Sequence, residues 1–251
     1  MKLLLYSGLW ISAIAVALTA AVANALEVAL PAALYLLIAM GSFTVYNFDH
    51  LKGLRADALT KPRRGRFVRS HRQLLLLAGL IGFLGTAALG VLAGWRIAFL
   101  LLFVFLLSLV HYRAKRLPMV KPLYIALAWL SVVGGIPTLW DGLPLVRVAR
   151  DFAPVGLAVF ANVLACDAAD REAEAQWLGP RTAWNSALVL SAAGAASALL
   201  LKGSPRLLGL IPLLLFFSLL PRRDEETYVA TFVDGSLLAG ALLALFFMRV
   251  T

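Results

Sequence analysis

The stretch NVLACDAADREAE, from Asn162 to Glu174, puts four carboxylates at the end of a long apolar run. On a helix, Asp167, Asp170 and Glu174 stand at i, i+3 and i+7 and share one face. Carboxylates so crowded repel one another unless they are neutralised, turned into bulk water, or given a cation to share. Their oxygens are the hard ligands that Mg²⁺ takes, with room left for water and a substrate phosphate. A solvated helix end opening a charged loop is the plain alternative.

A second, weaker copy lies in VYNFDHLKGLRADALTKPRR, with Asn47, Asp49 and Asp57 followed by Lys61, Arg63 and Arg64. Both segments run from an Asn near the end of an apolar helix to acids and then to bases. Asn47 and Asn162 are amides near membrane depth, where each needs either an interhelical hydrogen bond or a role in a site. The segment HYRAKRLPMVKP, from His111 to Pro122, adds Tyr112, Lys115 and Arg116. Acids for a divalent ion beside bases for a polyanion suit phosphate chemistry. Asp234 is an acid inside the last apolar run, where such groups face a cavity or a partner; a later start to that helix would put it at the interface instead. His50, His71 and His111 show no metal-binding spacing, and the single Cys166 excludes an intrachain disulfide or a cysteine metal cluster.

The elements that carry these residues are membrane helices. Of the 251 residues 62% are hydrophobic and only 14% charged, with a formal net charge of +10. The apolar runs repeat at the length of a bilayer crossing, and their continuity excludes a barrel. Nine spans are expected: 3 to 24, 28 to 49, 72 to 93, 96 to 112, 120 to 140, 152 to 169, 182 to 201, 205 to 221 and 227 to 249. Lys2, an apolar core and the ANA at 23 to 25 also fit a secretory signal in place of the first span. Of the 23 Lys and Arg, all but Arg96, Arg147, Arg150, Lys202, Arg206 and Arg249 fall in one set of alternate loops. That asymmetry puts the N-terminus and both acidic segments on the cytoplasmic side, and it explains the basic charge without nucleic acid. The expected architecture is an all-α, multi-pass bundle forming a single domain over 1 to 251, in contact with membrane lipid. Apolar walls beneath a charged rim suit a ligand with a phosphate head and a hydrocarbon tail.

On these motifs the chain resembles the UbiA superfamily of intramembrane prenyltransferases. NVLACDAADREAE is similar to that family's second Asp-rich motif, and YRAKR followed by Pro118 is similar to its basic segment after the fourth helix. The first motif departs from the family's N-D-x-x-D-x-x-x-D: Asp49 stands two residues after Asn47, and Gly53 occupies a place where an acid is expected. The resemblance implies a nine-helix fold in a membrane, a bacterial inner membrane being the expected one. It implies transfer of an isoprenoid from prenyl diphosphate to a small-molecule acceptor with Mg²⁺. Asp167, Asp170, Glu174 and Asp49 would be the metal positions, and Asn47 would join Asp49, Asp167 and Asp170 in catalysis. Lys115, Arg116, Lys61, Arg63, Tyr112, Asn162 and Asp234 would contact substrates. A terpene cyclase, or a protein that binds prenyl diphosphate without transferring it, is the alternative that keeps the fold.

Overall fold

Most helices of this chain are apolar on every side, which in water would be unstable and in lipid is the expected state. The computed structural model describes residues 2–114, 120–170 and 177–250, with the backbone alone at 2, 55–60, 110–114, 145 and 147. Among the described residues the regular structure is helical throughout. Four helical segments are long and apolar enough to cross a membrane: Arg72–Leu92, Val120–Asp141, Val148–Asp170 and Glu226–Val250. Leu9–Ala25, Trp95–Leu109 and Ser204–Leu219 are shorter apolar helices. Large apolar side chains such as Leu74, Leu77, Leu84, Phe99 and Leu106 stand exposed along the third and fourth runs. A surface of that kind is covered by lipid tails. The chain is an integral membrane protein.

The elements are α1 (Lys2–Tyr6), α2 (Leu9–Ala25), α3 (Ala32–Thr60), α4 (Pro62–Ser70), α5 (Arg72–Leu92), α6 (Trp95–Ala114), α7 (Val120–Val133), α8 (Gly135–Asp141) and α9 (Leu145–Asp170), then α10 (Pro180–Ala198), α11 (Leu210–Leu219, entered through a 3₁₀ turn) and α12 (Asp234–Val250). A helical turn at Glu226–Tyr228 and a π turn at Val229–Val233 lead into α12. The helices form a closed ring in which α2 packs on α3, α3 on α5, and so through α6, α7, α9, α10 and α11 to α12, which returns to α2. One continuous core, from Ile14 and Leu18 through Val155 and Leu164 to Ile211 and Val233, fills the half of the ring built from α2, α7 and α9 to α12.

Three differences from the expected spans have local causes. The first span breaks at Ser7–Gly8, where Gly8 takes a φ of 76°, so that α1 turns aside and packs on α4. The fifth span breaks at Gly134 between α7 and α8. The stretch expected as a long loop after the second span is helical instead: α3 runs on past the span to Thr60, and Pro62 at N1 starts the basic helix α4. The apolar α2, which also fits a signal sequence in composition, contributes Ile14, Leu18, Ala21 and Val22 to the core.

Candidate active site

The segments expected on the cytoplasmic side come together at one end of the ring. Tyr6 packs on Phe67, Lys61 reaches Asp170, Lys121 reaches Asp167, and Arg222 donates to Asn185 Oδ1 at 2.9 Å. Glu226 ties the last of these segments to α4. Its carboxylate accepts the backbone N–H of Arg64 at 2.9 Å and that of Arg63 at 3.3 Å, two of the donors that a helix leaves open at its N-terminus.

Asp167 and Asp170 close α9, and each meets a lysine from elsewhere in the ring. Lys121 lies at the start of α7 and is 5% exposed; its ammonium contacts the equally buried Asp167. Lys61, at the junction of α3 and α4, contacts Asp170. Two of the four acids expected to hold metal, Asp167 and Asp170, therefore carry resident counter-charges. A further acid, Asp49 on α3, lies in the same electrostatic field as Tyr46 and as His50, which also feels Arg64 and Lys61.

One to two turns below this rim is a second polar cluster. Asn162 Nδ2 donates to Asp234 Oδ1 at 3.1 Å, and Cys166 Sγ approaches the same oxygen at 3.5 Å. The π turn before Asp234 frees backbone carbonyls from the regular ladder, and Trp10 Nε1 donates to one of them, Ala230 O, at 2.8 Å. This bond pins the distorted turn to α2 and sets the direction in which Asp234 leaves the backbone. The helix containing Asp234 starts at Glu226, so the carboxylate is deep in the bundle and not at an interfacial helix start. Tyr46, whose hydroxyl accepts Trp129 Nε1 at 3.0 Å, lies within electrostatic reach of both Asp234 and Asp49.

The residues singled out in the sequence sort by position. Asn47 is fully buried on α3; its amide donates to Phe43 O at 3.0 Å, while its Oδ1 has no hydrogen-bond partner among the described residues. Lys61 pairs with Asp170 and Lys121 with Asp167 at the rim, and Asn162 pairs with Asp234 below it. Arg63 is exposed, and its guanidinium donates to Thr227 Oγ1 at 2.8 Å, which places it at the rim. Lys115, Arg116, Glu172 and Glu174 lie outside the described residues, as do the side chains of Tyr112 and Asp57. Among the described residues no group of three or more Asp, Glu, His or Cys forms a metal cage. Lys121 is the residue that sequence reasoning passed over as one more loop base. Its signal was position: it immediately precedes Pro122 at the head of an apolar helix.

No protein-family model and no curated protein matches the sequence. Among solved structures, the apo structure of a UbiA homolog from Aeropyrum pernix K1 matches with a TM-score of 0.68 and 19% identity, over 94% of this chain and 98% of that one. The chain has the UbiA fold. The arrangement of helices is thus an architecture shared with that homolog at an identity where sequence alone shows little. In the UbiA fold of this chain, α3 and α9 bring the two Asn-and-acid segments to a common end, and α12 sets Asp234 beneath them.

Proposed function

We propose that this protein is an intramembrane prenyltransferase, which transfers an isoprenoid from its diphosphate to a small-molecule acceptor. The observation that carries the reading is the charged rim of Lys61, Asp170, Lys121 and Asp167, set at one end of an apolar ring with a buried polar cluster beneath it. A diphosphate with a hydrocarbon tail matches both halves. The full reading includes nine membrane crossings and a site on the cytoplasmic side of a bacterial inner membrane, as the Lys and Arg asymmetry supports.

The donor set fits Mg²⁺ as an ion that arrives with the substrate. Mg²⁺ is commonly held by one or two carboxylates plus substrate phosphates, and Asp167 and Asp170 supply two hard ligands one turn apart. Asp49 and Glu174 are proposed as further donors. When bound, the ion would neutralise the diphosphate and stabilise charge on the departing oxygen. The protein's own residues do the rest. Lys61 and Lys121 are placed to exchange their carboxylate partners for phosphate oxygens, with Lys115, Arg116, Arg63 and Tyr112 proposed around them. The buried Asn47 offers an open carbonyl oxygen to a substrate or its bound water. Apolar walls exclude water from the allylic carbon after its C–O bond breaks, and the Tyr46 ring can face the resulting positive charge.

Gly53, in the place of an expected acid, favours as a second reading a protein that binds prenyl diphosphate without transferring it. One assay separates the two. Purified protein with labelled geranylgeranyl diphosphate and Mg²⁺ is expected to release diphosphate, with a prenylated product only when an acceptor is added. Asp167→Asn and Asp170→Asn are each expected to abolish turnover, Asp170→Asn with expression unchanged and Asp167→Asn with a loss of stability as well, because it removes the carboxylate that the buried Lys121 meets. Normal turnover in both variants would show the acids to be idle, and tight binding with no release would establish the second reading.

A further inference from the structure

Asp234, Asn162 and Cys166 are joined to one another beneath the charged rim, and the reading above gives none of them a step in the transfer. Each keeps partly exposed surface, although Ala161, Val163, Leu164 and Ala165 around Asn162 and Cys166, and Val233 beside Asp234, are buried. Asn162 and Asp234 face each other between α9 and α12, and Tyr46 on α3 lies within electrostatic reach of the carboxylate across the ring. The carboxylate is oriented by an amide and a thiol and, among the described residues, meets no ammonium or guanidinium in a hydrogen bond, unlike Asp167 and Asp170. Such a group, held in an apolar bundle by a π distortion, marks a ligand-facing position.

We infer that Asp234, oriented by Asn162, binds the head group of the acceptor and takes its proton, so that the acceptor class is molecules with a hydroxyl group. This rests on the prenyltransferase reading above. The depth suits it. Asn162 lies five and eight residues before Asp167 and Asp170, a drop of about 8 to 12 Å along α9. A phosphate held at the rim, one C–O bond, a near-attack separation of about 3 to 3.5 Å and a hydrogen bond of about 3 Å together span that drop. The step balances. The hydroxyl oxygen forms a bond to the allylic carbon, the bond from that carbon to the diphosphate oxygen breaks with its electron pair leaving on diphosphate, and the hydroxyl proton passes to the Asp234 carboxylate.

The test uses the full chain in detergent or nanodiscs, labelled geranylgeranyl diphosphate, and two probes: p-cresol, and 4-methylanisole, in which a methyl group replaces the hydroxyl proton. Wild type is expected to prenylate p-cresol and not 4-methylanisole. Asp234→Asn, a replacement of equal size, is expected to keep its affinity for geranylgeranyl diphosphate within about twofold while kcat for transfer falls at least a hundredfold, with Asp234→Glu recovering part of the loss. Asn162→Ala is expected to raise the KM for p-cresol more than it lowers kcat, and this second variant carries the test if Asp234→Asn does not fold. Transfer by Asp234→Asn at the wild-type rate would overturn the inference. So would prenylation of both probes alike, or wild-type cleavage of the diphosphate with no p-cresol product. If wild type neither binds nor cleaves geranylgeranyl diphosphate, the function proposed above fails first, and this inference with it.

Discussion

At the scale of single residues the decisive feature is a buried ammonium. Burying either member of the Lys121 and Asp167 pair alone would cost several kcal/mol, and the pair persists because each neutralises the other. Lys121→Met is therefore expected to destabilise the protein by about 3 to 5 kcal/mol, read as a lower melting temperature in detergent. The double variant Lys121→Met with Asp167→Leu is expected to recover most of the loss, because no lone charge then remains buried. A double variant as unstable as the single one would mean that the ion pair does not govern stability here. Part of this scale was legible in the sequence. Acids at i and i+3 ending an apolar helix announced a site, because few residues can occupy that position without a partner. The partners were not legible: Lys121 stands 46 residues from Asp167, and Asp234 stands 72 from Asn162. Nothing in local spacing encodes a contact across the ring. The tryptophans show the same division. Trp95, 69% exposed with Arg96 over its ring, sits at a helix end as an interfacial anchor should. Trp10, Trp129 and Trp184 instead each spend an indole N–H on a distant acceptor.

At the scale of helices, close approach depends on small residues. A Cβ on Gly240 of α12 would stand 2.6 Å from Ile211 Cα and 3.1 Å from Leu210 O, both backbone atoms of α11 or its entry that cannot rotate aside. Gly240→Ala is expected to push α11 and α12 apart and to lower the melting temperature, even though alanine is the better helix former by about 1 kcal/mol. A variant as stable as wild type, or more so, would show that the contact gives way easily. Glu226 acts between elements in a different manner, by capping α4 from the loop before α12. Glu226→Ala is expected to cost about 1 kcal/mol and to speed hydrogen exchange at the amides of Arg63 and Arg64 specifically, while amides within α9 keep their protection. Hydropathy located most of the helices because lipid demands about twenty apolar residues per crossing. It did not show α4, whose arginines read as a loop, nor the breaks at Gly8 and Gly134, because a glycine in an apolar run carries no signal of whether the helix bends there.

For the molecule as a whole, the ring closes by α12 returning to α2, so its first and last crossings are neighbours although they lie at opposite ends of the chain. Closure of this kind gathers the ends of α3 and α9, the start of α7 and the approach to α12 at one mouth, and it leaves Trp95, Arg96 and Trp140 at the other. The Lys and Arg of the acid-bearing mouth outnumber those of the opposite one, and the proposed orientation, with that mouth in the cytoplasm, rests on this imbalance. The nine crossings proposed above would place the two ends of the described chain on opposite sides. In a bacterial host, a fluorescent protein fused at the N-terminus is expected to fold and glow in the cytoplasm. Alkaline phosphatase fused after Val250 is expected to be active outside, and the same enzyme fused within 62–70 to be inactive. The last fusion matters most, because α4 packs on the rim that holds Lys61 and Asp170. Active phosphatase there would put the charged mouth outside the cell, where cytoplasmic prenyl diphosphate could not reach it without first being moved across the bilayer.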